Sequence, residues 1–220
     1  MELNHKKLVF LGDSITQGVG VSDPAQVYWR QVEKRTGAAC VGYGISGTRI
    51  ARQQQPTPEA AGYEYPFYSR VEQMDEDADI VVVFGGTNDW GHGDAPFGAM
   101  SDRTVDTFCG ACHVLCEKLI TRYPQATIVV MTPLHRVNET APYDAGWRLR
   151  RDHPLSDYVE ALGQIARYYS LPVLDLYGVS GLQPEVAAIR ERYVPDGLHP
   201  NEAGHTRIAD RLIAFLHTLE

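Results

Sequence analysis

Nucleophilic catalysis by a side-chain hydroxyl needs a base to take its proton and a third group to orient that base. It also needs hydrogen-bond donors aimed at the oxygen that becomes negative. Four short stretches of the chain carry residues of these types: Gly12-Asp13-Ser14-Ile15-Thr16, Gly44-Ile45-Ser46-Gly47-Thr48, Gly85-Gly86-Thr87-Asn88-Asp89, and Asp196-Gly197-Leu198-His199-Pro200. Each has an ordinary reading by itself. Gly-Asp-Ser is a common turn with a helix N-cap, Gly47 suits any strand-to-helix turn, Asn88 is a turn asparagine, and His199 could cap a helix. Together they supply a full set: Ser14 as nucleophile, His199 as base and Asp196 as its orienting carboxylate. The Ser14 N–H, the Gly47 N–H and the Asn88 side-chain amide are then the oxyanion donors.

Such a set works only if distant parts of the chain meet at one place. Apolar runs that read as strands end at residue 12 and cover residues 38–41, 78–84, 127–131 and 171–176. The run Ile80-Val81-Val82-Val83-Phe84 is continuous and β-branched, as in a strand buried on both faces of a parallel sheet. Helical spacing covers residues 27–36, 104–123, 156–169 and 202–219, with a short helix expected between 178 and 192. Alternating strands and helices predict an α/β fold, a five-stranded parallel sheet covered on both faces, as one domain over residues 1–220. In such a sheet, residues that follow strands gather at the C-terminal rim, where ligands bind.

Two long connections interrupt this alternation. Residues 49–66 read as a surface loop, and the aromatic cluster Tyr63, Tyr65, Phe67 and Tyr68 at its end reads mostly as packing. Residues 132–152 form a polar excursion with His135, Arg136, Trp147, Arg148, Arg150 and Arg151. Loops of this length inside compact domains often bind ligands, although arginines in an acidic chain also pair with surface carboxylates. Asp13, Trp90, His135, Arg136 and Trp147 are the candidate substrate-binding residues.

The 220 residues carry a formal charge of -8, which argues against nucleic acid or an anionic membrane surface as partner. No signal-peptide h-region precedes the first strand, so the expectation is a cytoplasmic protein. Cys109, Cys112 and Cys116 share one face of a predicted helix and, with Cys40, read as core thiols rather than metal ligands.

With its four stretches in order across residues 9–201, the chain resembles the SGNH hydrolases, the GDSL family of esterases and lipases. Ser14, Gly47, Asn88 and the Asp196–His199 pair match the family's sequence blocks, with an inserted threonine before Asn88. The resemblance implies a three-layer αβα, flavodoxin-like sheet and metal-free, cofactor-free ester hydrolysis through an acyl-enzyme. It does not imply the substrate. No long apolar segment suggests a lipase lid, so the expectation is a small ester, a carbohydrate acetyl ester being the candidate. The alternatives are an acyl-thioesterase or lysophospholipase, or a catalytically silent carbohydrate-binding protein.

Overall fold

A computed structural model describes residues 1–55, 64–140 and 153–219. In chain order the elements are β1 (Lys7–Gly12), α1 (Ser14–Gln17), α2 (Tyr28–Thr36), β2 (Ala39–Gly44), α3 (Phe67–Arg70), β3 (Ile80–Phe84), α4 (Thr87–His92), α5 (Phe108–Arg122), β4 (Thr127–Met131), α6 (Leu155–Tyr168), β5 (Val173–Leu174), α7 (Leu176–Val179), α8 (Ala187–Tyr193) and α9 (Glu202–Thr218). The strands form the expected five-stranded parallel sheet, in the order β2-β1-β3-β4-β5. Because strand side chains alternate in direction, each run splits between two cores. Val9, Leu11, Val81, Val83, Ile128 and Val130 face a core closed by α5 and α6. Phe10, Val82, Phe84, Val129 and Met131 face a second core closed by α2 and α9. This is the three-layer αβα architecture. Cys109, Cys112 and Cys116 are buried in the first core and Cys40 in the second.

Several boundaries differ from the sequence expectation. β2 runs past residue 41 to Gly44, pairing with β1 along its full length from Lys7↔Ala39 to Gly12↔Gly44. Gly42 and Gly44, beyond the end of the strand expected over 38–41, are strand residues whose neighbours lie where side chains would be. A Cβ on Gly44 would sit 2.2 Å from the Gln17 backbone nitrogen, and one on Gly42 2.5 Å from the Trp29 ring. The long helix begins at Phe108, not at residue 104, since the Thr107 side chain caps it by accepting from the Gly110 N–H. β5 is shorter than expected because Asp175 turns to cap α7. Residues 50 and 51, placed in a surface loop, are buried. Among the described residues, no helix is long and apolar enough to cross a membrane.

Candidate active site

β1 ends at Gly12, and Asp13 caps the single-turn helix that starts with Ser14, its carboxylate accepting from the Ile15 N–H at 3.0 Å. A Cβ on Gly12 would lie 1.9 Å from Thr16 Oγ1, so only glycine lets α1 fold this tightly onto the strand end. Thr16 Oγ1 lies 3.0 Å from the Tyr28 hydroxyl, and the Trp29 indole N–H donates to the Thr16 carbonyl at 2.9 Å, which fixes α1 against α2. Ser14 is buried at 3% exposure.

The opposite partner comes from the turn between α8 and α9. Asn201 caps α9 by accepting from the Ala203 and Gly204 N–H groups and ties the turn back by donating to the Arg192 carbonyl. Within the turn, Asp196 Oδ1 accepts from the backbone N–H groups of Leu198 at 2.8 Å and His199 at 2.7 Å. Its other oxygen, Oδ2, lies 2.6 Å from His199 Nδ1. A carboxylate can only accept there, so Nδ1 carries the ring proton and Nε2 is left as an acceptor. The Ser14 hydroxyl stands 3.1 Å from that Nε2 and donates to it. Burial pushes the Asp196 carboxyl up, but the His199 ring and the two backbone N–H groups outweigh it and hold the group down at about 2. It is therefore an anion at any pH near neutrality.

Asn88 sits in the first turn of α4 rather than in the expected turn, because Gly86 takes the left-handed conformation (φ 105°) that starts the helix directly after β3. Its side-chain amide donates to the Thr48 carbonyl at 3.1 Å, leaving the second amide hydrogen for another acceptor. Gly47 has φ 74° in the turn after β2. Among the described residues, the N–H groups of Ser14 and Gly47 have no acceptor. Asp89, given no role in the sequence reading, joins α4 to the segment after the Gly47 turn by accepting from the Ile50 N–H at 2.9 Å and the Ala51 N–H at 2.9 Å. Burial drives its carboxyl up to about 7 against those bonds and the nearby Arg49 charge. Its signal was its place next to Asn88. Arg70, with a buried guanidinium, carried no local signal at all.

The candidate substrate-binding residues fare differently. Asp13 is buried at 1% exposure and used as a helix cap, and burial raises its carboxyl to about 6. Trp90 lies in the core, with its indole N–H given to the His153 carbonyl and the Arg136 guanidinium over its ring at 5.0 Å. Asp13 is thus engaged as a helix cap and Trp90 in core packing, rather than in an open binding surface. His135 turns toward the β5 side, where Nδ1 meets Glu139 at 2.7 Å and the ring lies 3.7 Å from Tyr177. Arg136 donates to the Thr87 carbonyl at 3.2 Å, and the adjacent Val137 N–H donates to the Gly197 carbonyl at 2.9 Å. The segment 136–137 thereby brackets the α4 start and the His199 turn. Trp147, with Arg148, Arg150 and Arg151, lies outside the described residues, as does Tyr63. Phe67 is buried, whereas Tyr65 is exposed.

A five-stranded parallel sheet between two helical layers, with Ser14, Asn88 and His199 gathered at its C-terminal rim, has the SGNH hydrolase fold. The chain belongs to the GDSL-like lipase/acylhydrolase family, whose model matches residues 10–207. Among solved structures, one is 31% identical with a TM-score of 0.85, covering 100% of this chain and 99% of that one. A protein from Lactobacillus plantarum is 30% identical with a TM-score of 0.83, each chain covered to 99%. At lower identity, 23%, a two-domain esterase active on acetylated mannans has a TM-score of 0.62, with 98% of this chain and 50% of that chain covered. The comparison with curated proteins gives no match.

Proposed function

We propose that the chain is a serine esterase that hydrolyses small carboxylic esters through an acyl-enzyme on Ser14. The hydrogen-bonded run from Ser14 Oγ to His199 Nε2 (3.1 Å) and from His199 Nδ1 to Asp196 Oδ2 (2.6 Å) carries this reading. As Ser14 attacks the ester carbonyl, its proton passes to Nε2, and the Asp196 carboxylate stabilises the imidazolium. The carbonyl oxygen becomes an oxyanion held by the Ser14 and Gly47 N–H groups and the free hydrogen of the Asn88 amide. The imidazolium then protonates the departing alcohol. Water, deprotonated by the same nitrogen, releases the acid and regenerates Ser14.

The substrate class is a small acyl group on a polar alcohol, with carbohydrate acetyl esters as the candidate. The similar two-domain esterase active on acetylated mannans supports this direction. An acyl-chain series of p-nitrophenyl esters tests it, alongside acetylated sugars. The reading requires the highest kcat/KM at acetyl or propionyl and loss of turnover in Ser14→Ala. A preference for octanoyl or longer chains would favour the lysophospholipase or thioesterase alternative. Absence of any turnover would favour the silent carbohydrate-binding protein.

A further inference from the structure

Arg70 closes the short helix α3, and its side chain is buried at 2% exposure. The guanidinium reaches three acceptors at the rim. Nη1 donates to the Tyr43 carbonyl at 2.7 Å, and Nη2 donates to the Gly12 carbonyl at 3.0 Å and to Thr48 Oγ1 at 3.0 Å. Gly12 lies two residues before Ser14 and Tyr43 is the second-to-last residue of β2, while Thr48 directly follows Gly47. The Thr48 carbonyl in turn accepts the Asn88 amide at 3.1 Å. All three segments that carry an oxyanion donor are thus tied to one planar cation, two of them directly and the third through Thr48.

We propose that Arg70 is the positioning residue of the oxyanion hole, setting the spacing between the Ser14 N–H, the Gly47 N–H and the Asn88 amide. This rests on the esterase reading above. A guanidinium has the fixed, planar fork of donors needed to hold diverging acceptors at set angles, which an ammonium lacks. Burying a charge is costly unless hydrogen bonds satisfy it; these three acceptors and the Phe67 ring at 4.8 Å surround the fork, while Nε has no partner among the described residues. Asp13 contributes an opposing charge, since its carboxylate and the Arg70 guanidinium attract one another.

The contact exists in the resting enzyme, but its effect is realised when the oxyanion forms. Displacing the donors therefore lowers kcat and leaves KM nearly unchanged. Arg70→Gln is expected to lose about 10²-fold in kcat, the cost of one misaligned oxyanion donor, with KM within about threefold. Arg70→Lys keeps the charge without the fork and recovers part of that loss. Thr48→Val removes the hydroxyl, which accepts from Arg70 and donates to the Ile45 carbonyl at 2.7 Å, but keeps the carbonyl that holds Asn88, and Thr48→Ser restores the hydroxyl. This pair decides the matter if Arg70→Gln does not fold. The expected result is a kcat loss of about tenfold in Thr48→Val that Thr48→Ser reverses, read on folded protein counted by Ser14 titration. A lowered Tm with unchanged kcat per titrated site would make Arg70 purely structural and overturn the inference. Wild-type protein without Ser14-dependent turnover would instead overturn the esterase reading beneath it.

Discussion

Replacing Asp196 by asparagine separates an orienting carboxylate from a merely nearby one. The amide is nearly isosteric, but it cannot turn freely. The Leu198 and His199 N–H groups point at Oδ1 from 2.8 and 2.7 Å, so the asparagine oxygen must stay with them and its NH₂ group must face His199 Nδ1. That nitrogen is then forced to accept, the ring proton moves to Nε2, and the base that should take the Ser14 proton becomes a donor to it. In a buried triad this wrong tautomer costs about 10⁴-fold in kcat. The Asp196 side chain is 55% exposed here, so water shares in solvating the imidazolium. The expected loss is therefore smaller, about 10³-fold or ~4 kcal/mol in activation free energy. Asp196→Ala provides the contrast. Water can accept the Nδ1 proton in the space left behind, so the ring keeps the productive tautomer, and alanine should be the milder substitution. Steady-state hydrolysis of p-nitrophenyl acetate by both variants, normalised to sites titrated with a fluorophosphonate, reads the difference. An Asp196→Asn variant within tenfold of wild type, or an Asp196→Ala variant slower than it, would refute the tautomer argument.

Three further outcomes follow from the geometry. Asn88→Ala should lower kcat by roughly 10²-fold with little change in KM, because its amide bond strengthens only in the transition state; a KM rise at constant kcat would make Asn88 a ground-state contact. Gly44→Ala should destabilise the fold by about 1–3 kcal/mol, seen as a fall in Tm, since the new Cβ meets the Gln17 backbone nitrogen at 2.2 Å. His205 is fully buried, with Nδ1 accepting from the Tyr28 N–H at 3.1 Å, and burial lowers its pKa to about 4. The unfolded chain therefore takes up this proton first, so the residue costs stability as pH falls from about 6.5 toward 4. His205→Gln should accordingly lose less Tm than wild type across that interval, and an identical pH dependence would count against it.

The sheet was legible because strands buried on both faces announce themselves by composition, as Ile80–Phe84 does. The four motif stretches were legible because glycine, aspartate, serine, asparagine and histidine at strand ends are chemically conspicuous. What stayed hidden depended on contacts across the fold. The glycines at 42 and 44 fell outside the strand read over 38–41, although they are strand residues made necessary by Trp29 and by the α1 backbone. Trp90 looked like a binding aromatic beside Asn88, yet the first turn of α4 directs it into the core under Arg136. Arg70 is a single arginine at the end of an aromatic stretch, and only the convergence of Gly12, Tyr43 and Thr48 on it reveals what it holds. No local pattern encodes three acceptors drawn from two strands and a turn.

The central claim is that Ser14 is the nucleophile, and covalent labelling tests it most directly. Wild-type protein treated with a fluorophosphonate should take up one equivalent, located by peptide mass spectrometry on Ser14, and His199→Ala should react far more slowly because the hydroxyl has lost its base. Stoichiometric labelling of any other serine, or of Ser14 at the same rate without His199, would contradict the account.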